Sequence, residues 1–252
     1  MLRAGKLTQL EWIDACANEL MLDGVDFSAA HFPRLDGDYL AQVKKLCTDR
    51  GLTIACLSAD VSVGGADADA RIGDYLGLLD VAQTIGAPIL RAVCGPAAGS
   101  PPIAWRELIR SFKQICLQAK QSNVTIAVQP KDGSLAADPG DAKRLMKECD
   151  SAWLRLALTA SHLASSEPDG WEPCLGEALI IVADVHRLDT FGADETIDYR
   201  RALTLLRRQR YRGFLSIEYD GDEDESLAVS RAASWLRGML AKDELQAAAR
   251  NR

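Results

Sequence analysis

The sequence is poor in histidine, with three in 252 residues. That leaves no material for a multi-zinc hydrolytic cluster, which draws on several imidazoles and carboxylates at once. Long apolar runs are missing too. None approaches the ~20 residues that span a bilayer, and Met1 to Lys6 has no apolar core of a secretory signal. A cytoplasmic chain with no membrane partner is expected. Positive charge is in deficit, 29 Lys+Arg against 36 Asp+Glu, a net charge of −7. That disfavours a nucleic-acid partner, whose phosphates need a basic face. The arginines at 200, 201, 207, 208, 210 and 212 fall in an amphipathic helix pattern and read as a solvated face. No Gly-x-Gly-x-x-Gly or phosphate-binding loop occurs, so no nucleotide cofactor is expected. No linker or low-complexity tract divides residues 1–252, which read as one domain. Cysteine is the exception to this scarcity. There are seven, an odd number, with no Cys-x-x-Cys pair, and they read as small buried hydrophobes.

What is present is a regular alternation. Thr8 and Glu11 form a capping-box pattern ahead of Leu10, Ile13, Ala17 and Leu20 at helical spacing. Gly24–Phe27 reads as a short strand, Tyr39–Cys47 as a helix stopped by Gly51, and Leu52–Leu57 as a buried strand. A helix over Ala68–Ile85 ends at Gly86, and Pro88–Val93 is a strand. Pro101 and Pro102 open a long helix that stops near Asn123. Val124–Val128 is a strand, and Asp138-Pro139 pairs an N-cap with proline at the first helical position. After the helix to Cys149 come a strand at Leu154–Leu158, a short helix near Trp171–Ala178 and a strand at Leu179–Ala183. A helix over Asp198–Arg210, a strand at Phe214–Ile217 and a helix from Glu225 complete the chain.

Seven strands, each followed by a helix, predict a parallel sheet. A doubly wound sheet calls for an early glycine-rich phosphate loop, which is absent. A (β/α)8-type TIM barrel instead places polar residues just past the strand C-termini. Here those are His31, Asp60, Arg91, Gln129, Thr159 with His162, Asp184 with His186 and Asp189, and Glu218. The barrel is therefore the expected α/β fold.

The pieces Gly24-Val25-Asp26-Phe27, Gly86-Ala87-Pro88-Ile89-Leu90-Arg91, His186-Arg187-Leu188-Asp189 and Tyr211 to Glu218, in this order and spacing, resemble the xylose-isomerase-like TIM barrels. These are the sugar (phosphate) isomerases and epimerases. The resemblance covers nearly the whole chain. It implies a small sugar-like substrate, often a homodimer, and a divalent metal, Mn²⁺ or a similar ion, at the C-terminal face of the barrel. The four family ligand positions fall on Gln129, Thr159, His186 and Glu218, and the family's substrate-binding histidine on His162. Two of these depart from the pattern. An amide at 129 cannot act as a base, and threonine is a poor ligand for a hard cation. The family also begins with a strand before the first helix. Met1 to Lys6 is too short and polar to supply it, so the barrel is expected to lack its first strand and to show seven.

On this reading Glu218, His162 and Gln129 are the catalytic candidates. Arg91, His31, Asp60 and Asp189 are the substrate-binding ones, and His186, Glu218, Gln129 and Thr159 would face a metal. The expected reaction is isomerisation or epimerisation of a polyhydroxylated carbonyl compound. Two alternatives stand beside it. One is a non-catalytic relative that binds a sugar or a partner. The other is a lyase, dehydratase or deglycosidase on the same scaffold.

Overall fold

The computed structural model describes residues 6–64, 67–96, 101–165 and 170–250. Its centre is one sheet of seven parallel strands in sequential order, β1 Gly24–Ser28, β2 Thr53–Val63, β3 Ile89–Cys94, β4 Thr125–Gln129, β5 Leu154–Thr159, β6 Ala178–Val185 and β7 Leu215–Tyr219. Helices α1 Gln9–Asn18, α2 Gly37–Asp49, α3 Ala68–Ile85, α4 Pro101–Ser122, α5 Pro139–Cys149, α6 Ala160–Ala164, α7 Tyr199–Arg208 and α8 Glu225–Arg250 flank it. This is a nearly closed α/β barrel. No helix among the described residues is long and apolar enough to cross a membrane.

Local chemistry sets the element ends. The backbone N–H of Thr8 donates to Glu11 Oε2 at 2.8 Å, and that of Glu11 to Thr8 Oγ1 at 3.3 Å, completing the capping box of α1. Asp138 caps α5, with Pro139 opening it. Two expectations needed adjustment. β2 runs six residues past Leu57, with a register shift against β3 between Ser58 and Ser62. The segment near Trp171 is a 3-10 helix over Glu172–Glu177, with Pro173 in its first turn.

Among the described residues no strand precedes α1, and no ladder joins β7 to β1. The seam is nevertheless tight. A Cβ on Gly24 would lie 2.6 Å from the Thr53 carbonyl oxygen and 3.0 Å from Phe214 Cε1, so only glycine fits there. A side-chain hydrogen bond crosses the seam between its two strands, from Ser216 Oγ on β7 to Asp26 Oδ2 on β1 at 3.0 Å.

The barrel interior is layered. At the bottom Cys56, Ala127, Ala157 and Ile180 pack fully buried against Ile89. Register then places Arg91 beside Ala127, Gln129 beside Val93, Thr159 beside Val182, and Glu218 beside Asp184. Partners in a parallel ladder share a face. The small apolar floor thus gives way to a polar layer at the C-terminal ends.

Candidate functional site

A cavity of about 810 Å³ opens at that polar end. Its wall includes Asp26, Ser58, Arg91, Gln129, Ser216 and Glu218 from five strands, with His31 and Trp12 at one side. Of the residues singled out in the sequence, Arg91, Gln129, Glu218 and His31 come together here. Asp60 lies in β2, but its side chain falls outside the described residues.

The polar network is built on Arg91. Its guanidinium Nε–H donates to Ser58 Oγ at 2.8 Å, its Nη1 to Glu218 Oε2 at 2.9 Å, and its Nη2 lies 3.7 Å from Asp26 Oδ2. Asp26 in turn accepts from Ser58 Oγ and Ser216 Oγ, both at 3.0 Å. Arg91 and Asp26 are nearly sealed, with side-chain exposures of 13% and 9%, whereas Glu218 is 50% exposed to the cavity. Burial works against the charge on Arg91, but the Asp26 and Glu218 carboxylates outweigh it and raise its pKa. Gln129 ends β4 buried and lines the cavity.

Four other candidates, Thr159, His162, His186 and Asp189, are not among the residues that line this cavity. Thr159 N–H donates to His162 Nδ1 and His162 N–H donates to Thr159 Oγ1, each at 3.2 Å, a capping box for the one-turn helix α6. The Thr159 hydroxyl also lies 2.7 Å from Ser161 Oγ. The His162 ring packs on Trp171 with centroids 4.6 Å apart. Burial lowers its pKa despite the nearby Asp184 and Asp132. An accepting Nδ1 leaves the proton of the neutral ring on Nε2. His186 is 45% exposed, with Nε2 3.8 Å from Asp184 Oδ2. Its backbone is held by Asp194, which accepts from the N–H of His186 at 2.6 Å and of Arg187 at 3.1 Å. Asp189 Oδ1 accepts from Phe191 and Ala193 N–H and so shapes its own turn.

Sequence reading passed over Asp26, Ser58 and Ser216. The available signal was a carboxylate between Val25 and Phe27 in a strand whose neighbours are buried, since a buried charge demands partners.

The donor set fits a divalent ion poorly. Among the described residues no three His, Cys, Asp or Glu side chains are placed to hold one. The Thr159 hydroxyl is committed to its helix cap, and Glu218 already faces a guanidinium.

The family model for the xylose isomerase-like TIM barrel matches residues 15–239. The chain belongs to that family. Among solved structures, an L-ribulose 3-epimerase aligns at TM-score 0.76 and 17% identity over 96% of this chain and 92% of its own. The 3-keto-D-glucoside 4-epimerase from E. coli aligns at 0.72 and 16% over 92% and 94%. An AP endonuclease of family 2 from Brucella melitensis aligns at 0.73 and 19% over 90% and 93%. At these identities the likeness establishes the fold alone. No curated protein matches the sequence.

Proposed function

We propose that this chain is an enzyme of the sugar isomerase and epimerase type, acting on a small, neutral, polyhydroxylated carbonyl compound held in the barrel mouth. The observation that carries the reading is Glu218, a half-exposed carboxylate in the cavity beside a buried guanidinium. The carboxylate takes the proton from the carbon next to the carbonyl. The C–H electron pair becomes a C=C bond, and the carbonyl pair moves onto oxygen. Arg91 has five N–H donors, of which Ser58 and Glu218 take two, so others remain to meet the developing oxyanion. Returning the proton to the neighbouring carbon, as the hydroxyl proton there passes to the former carbonyl oxygen, completes an isomerisation; reprotonation of the original carbon from the opposite face, with water as the donor, gives the epimer. Gln129 offers an amide to a hydroxyl, and His31 lies at the rim of the same cavity.

Charge supports a neutral ligand. Six carboxylates and three Lys or Arg line the cavity. Two of the acids are engaged elsewhere, Glu223 with Arg231 and Asp224 at the start of α8. Four carboxylates against three cations still disfavour a phosphate ester. All seven cysteines are free and buried, which suits a reducing cytoplasm. A homodimer is proposed from the family resemblance alone.

The test is profiling of ketoses, aldoses and keto-glycosides in D₂O by mass spectrometry and NMR. Deuterium appearing next to the carbonyl supports the reading. Saturable ligand binding without exchange would move the chain to a second reading, a non-catalytic sugar binder. The Gln129 amide and the capped Thr159 favour that alternative.

A further inference from the structure

The family resemblance implies a bound cation at the barrel mouth, and in this chain Arg91 already places a cation there. Arg91 rises from β3 into the polar layer, where its guanidinium reaches Ser58, Glu218 and Asp26 at 2.8, 2.9 and 3.7 Å. Asp26 is further fixed by two serine hydroxyls, from β2 and β7. One guanidinium, held covalently by the chain, thus faces both carboxylates. A divalent ion bound through both oxygens of Glu218 would have to displace the guanidinium from Oε2, and one bound through Oε1 alone would lie near it. Like charges at contact repel, and Arg91 is only 13% exposed, so water screens it little. Guanidinium is also always charged and offers donors in a fixed fork, which suits a carbonyl or enolate oxygen.

We propose that Arg91 is the resident cation of this site, so that ligand binding and turnover are independent of divalent metal, and that Arg91 itself keeps metal out. The proposal rests on the mouth being the ligand site, but its test needs no substrate. It separates two explanations of poor metal fit, missing ligands at 129 and 159 or an occupying charge at 91. If missing ligands were the cause, restoring them would suffice.

The experiment uses the full chain after EDTA treatment and follows free Mn²⁺ by electron paramagnetic resonance. Wild type should show no saturable binding up to millimolar Mn²⁺. The Gln129→Glu/Thr159→Asp variant, with Arg91 retained, should remain without it. Adding Arg91→Met should bring saturable binding, at least about tenfold tighter than in the double variant, a change worth about 1.4 kcal/mol. Arg91→Lys in the same background, which keeps the charge, should not. Tight binding of one equivalent by wild type, or full restoration by Gln129→Glu/Thr159→Asp alone, overturns the proposal. So does a triple variant that is folded by circular dichroism yet binds no better than the double. If the Arg91→Met chain fails to fold, the first two arms still decide. Failure of the sugar reading would show as absent deuterium exchange, with these metal titrations unaffected.

Discussion

Asp26 is the residue whose removal the structure prices most clearly. It sits on the first strand with 9% of its side chain exposed and accepts hydrogen bonds from Ser58 on β2 and Ser216 on β7. It also faces Arg91 on β3 at 3.7 Å. Asp26→Ala deletes two hydroxyl bonds to a charged acceptor and half of the counter-charge around a buried guanidinium. Breaking a buried pair commonly costs about 3–5 kcal/mol, but Arg91 keeps Glu218 and Ser58, so the expected loss is about 2–4 kcal/mol. For a chain of this size that lowers Tm by about 4–16 °C. Asp26→Asn preserves shape and one acceptor oxygen, while the hydroxyl facing the new NH₂ must turn to accept from it, and should cost about half as much, on the order of 1–2 kcal/mol. Urea unfolding followed by circular dichroism measures both. A cycle with Ser216→Ala should give a coupling of about 0.5–3 kcal/mol, because the pair bridges the seam. An Asp26→Ala chain within about 0.5 kcal/mol of wild type would refute the picture of Asp26 as the tie between β1, β3 and β7.

Further expectations follow from single features. Burial depresses the pKa of His162 below its ordinary 6.5, so the unfolded chain takes up this proton first. The associated stability is complete above about pH 6.5 and is lost as pH falls toward the folded-state value. Unfolding titrations of His162→Gln should show a shallower acid slope, and an unchanged slope would contradict the burial argument. Gly192 has φ +89°, and a Cβ there would lie 2.4 Å from the Arg231 carbonyl oxygen. Gly192→Ala should therefore cost about 1–3 kcal/mol and loosen the turn around Asp189, measurable by hydrogen exchange of Ala193. Calorimetry should find a neutral ketose bound more tightly than its phosphate ester, and the reverse order would overturn the charge argument at the mouth.

The alternation of strands and helices was legible because apolar runs are bounded by glycine and proline and opened by recognisable caps, such as Thr8 with Glu11 and Asp138 with Pro139. The count of seven strands in the sheet was legible too, from the seven apolar runs. The site was legible only in part. Asp26 meets Ser58 at a separation of 32 residues and Ser216 at 190. Barrel register, not sequence spacing, brings them together. Thr159 and His162 show the converse limit. A spacing of three residues serves a metal ligand and a substrate-binding histidine, and it equally serves a capping box. The reciprocal backbone bonds alone reveal the cap. Asp189 likewise has the spacing of a turn former, and its N–H acceptors at Phe191 and Ala193 show that use.

The most direct test of the functional account is the rate of solvent deuterium exchange into a bound ketose, compared between wild type and Glu218→Gln at matched saturation. The account predicts measurable exchange in wild type and a loss of about 10²–10⁴-fold in the variant, with the fold and ligand affinity retained. Equal exchange in the two proteins would remove Glu218 from proton transfer and contradict it.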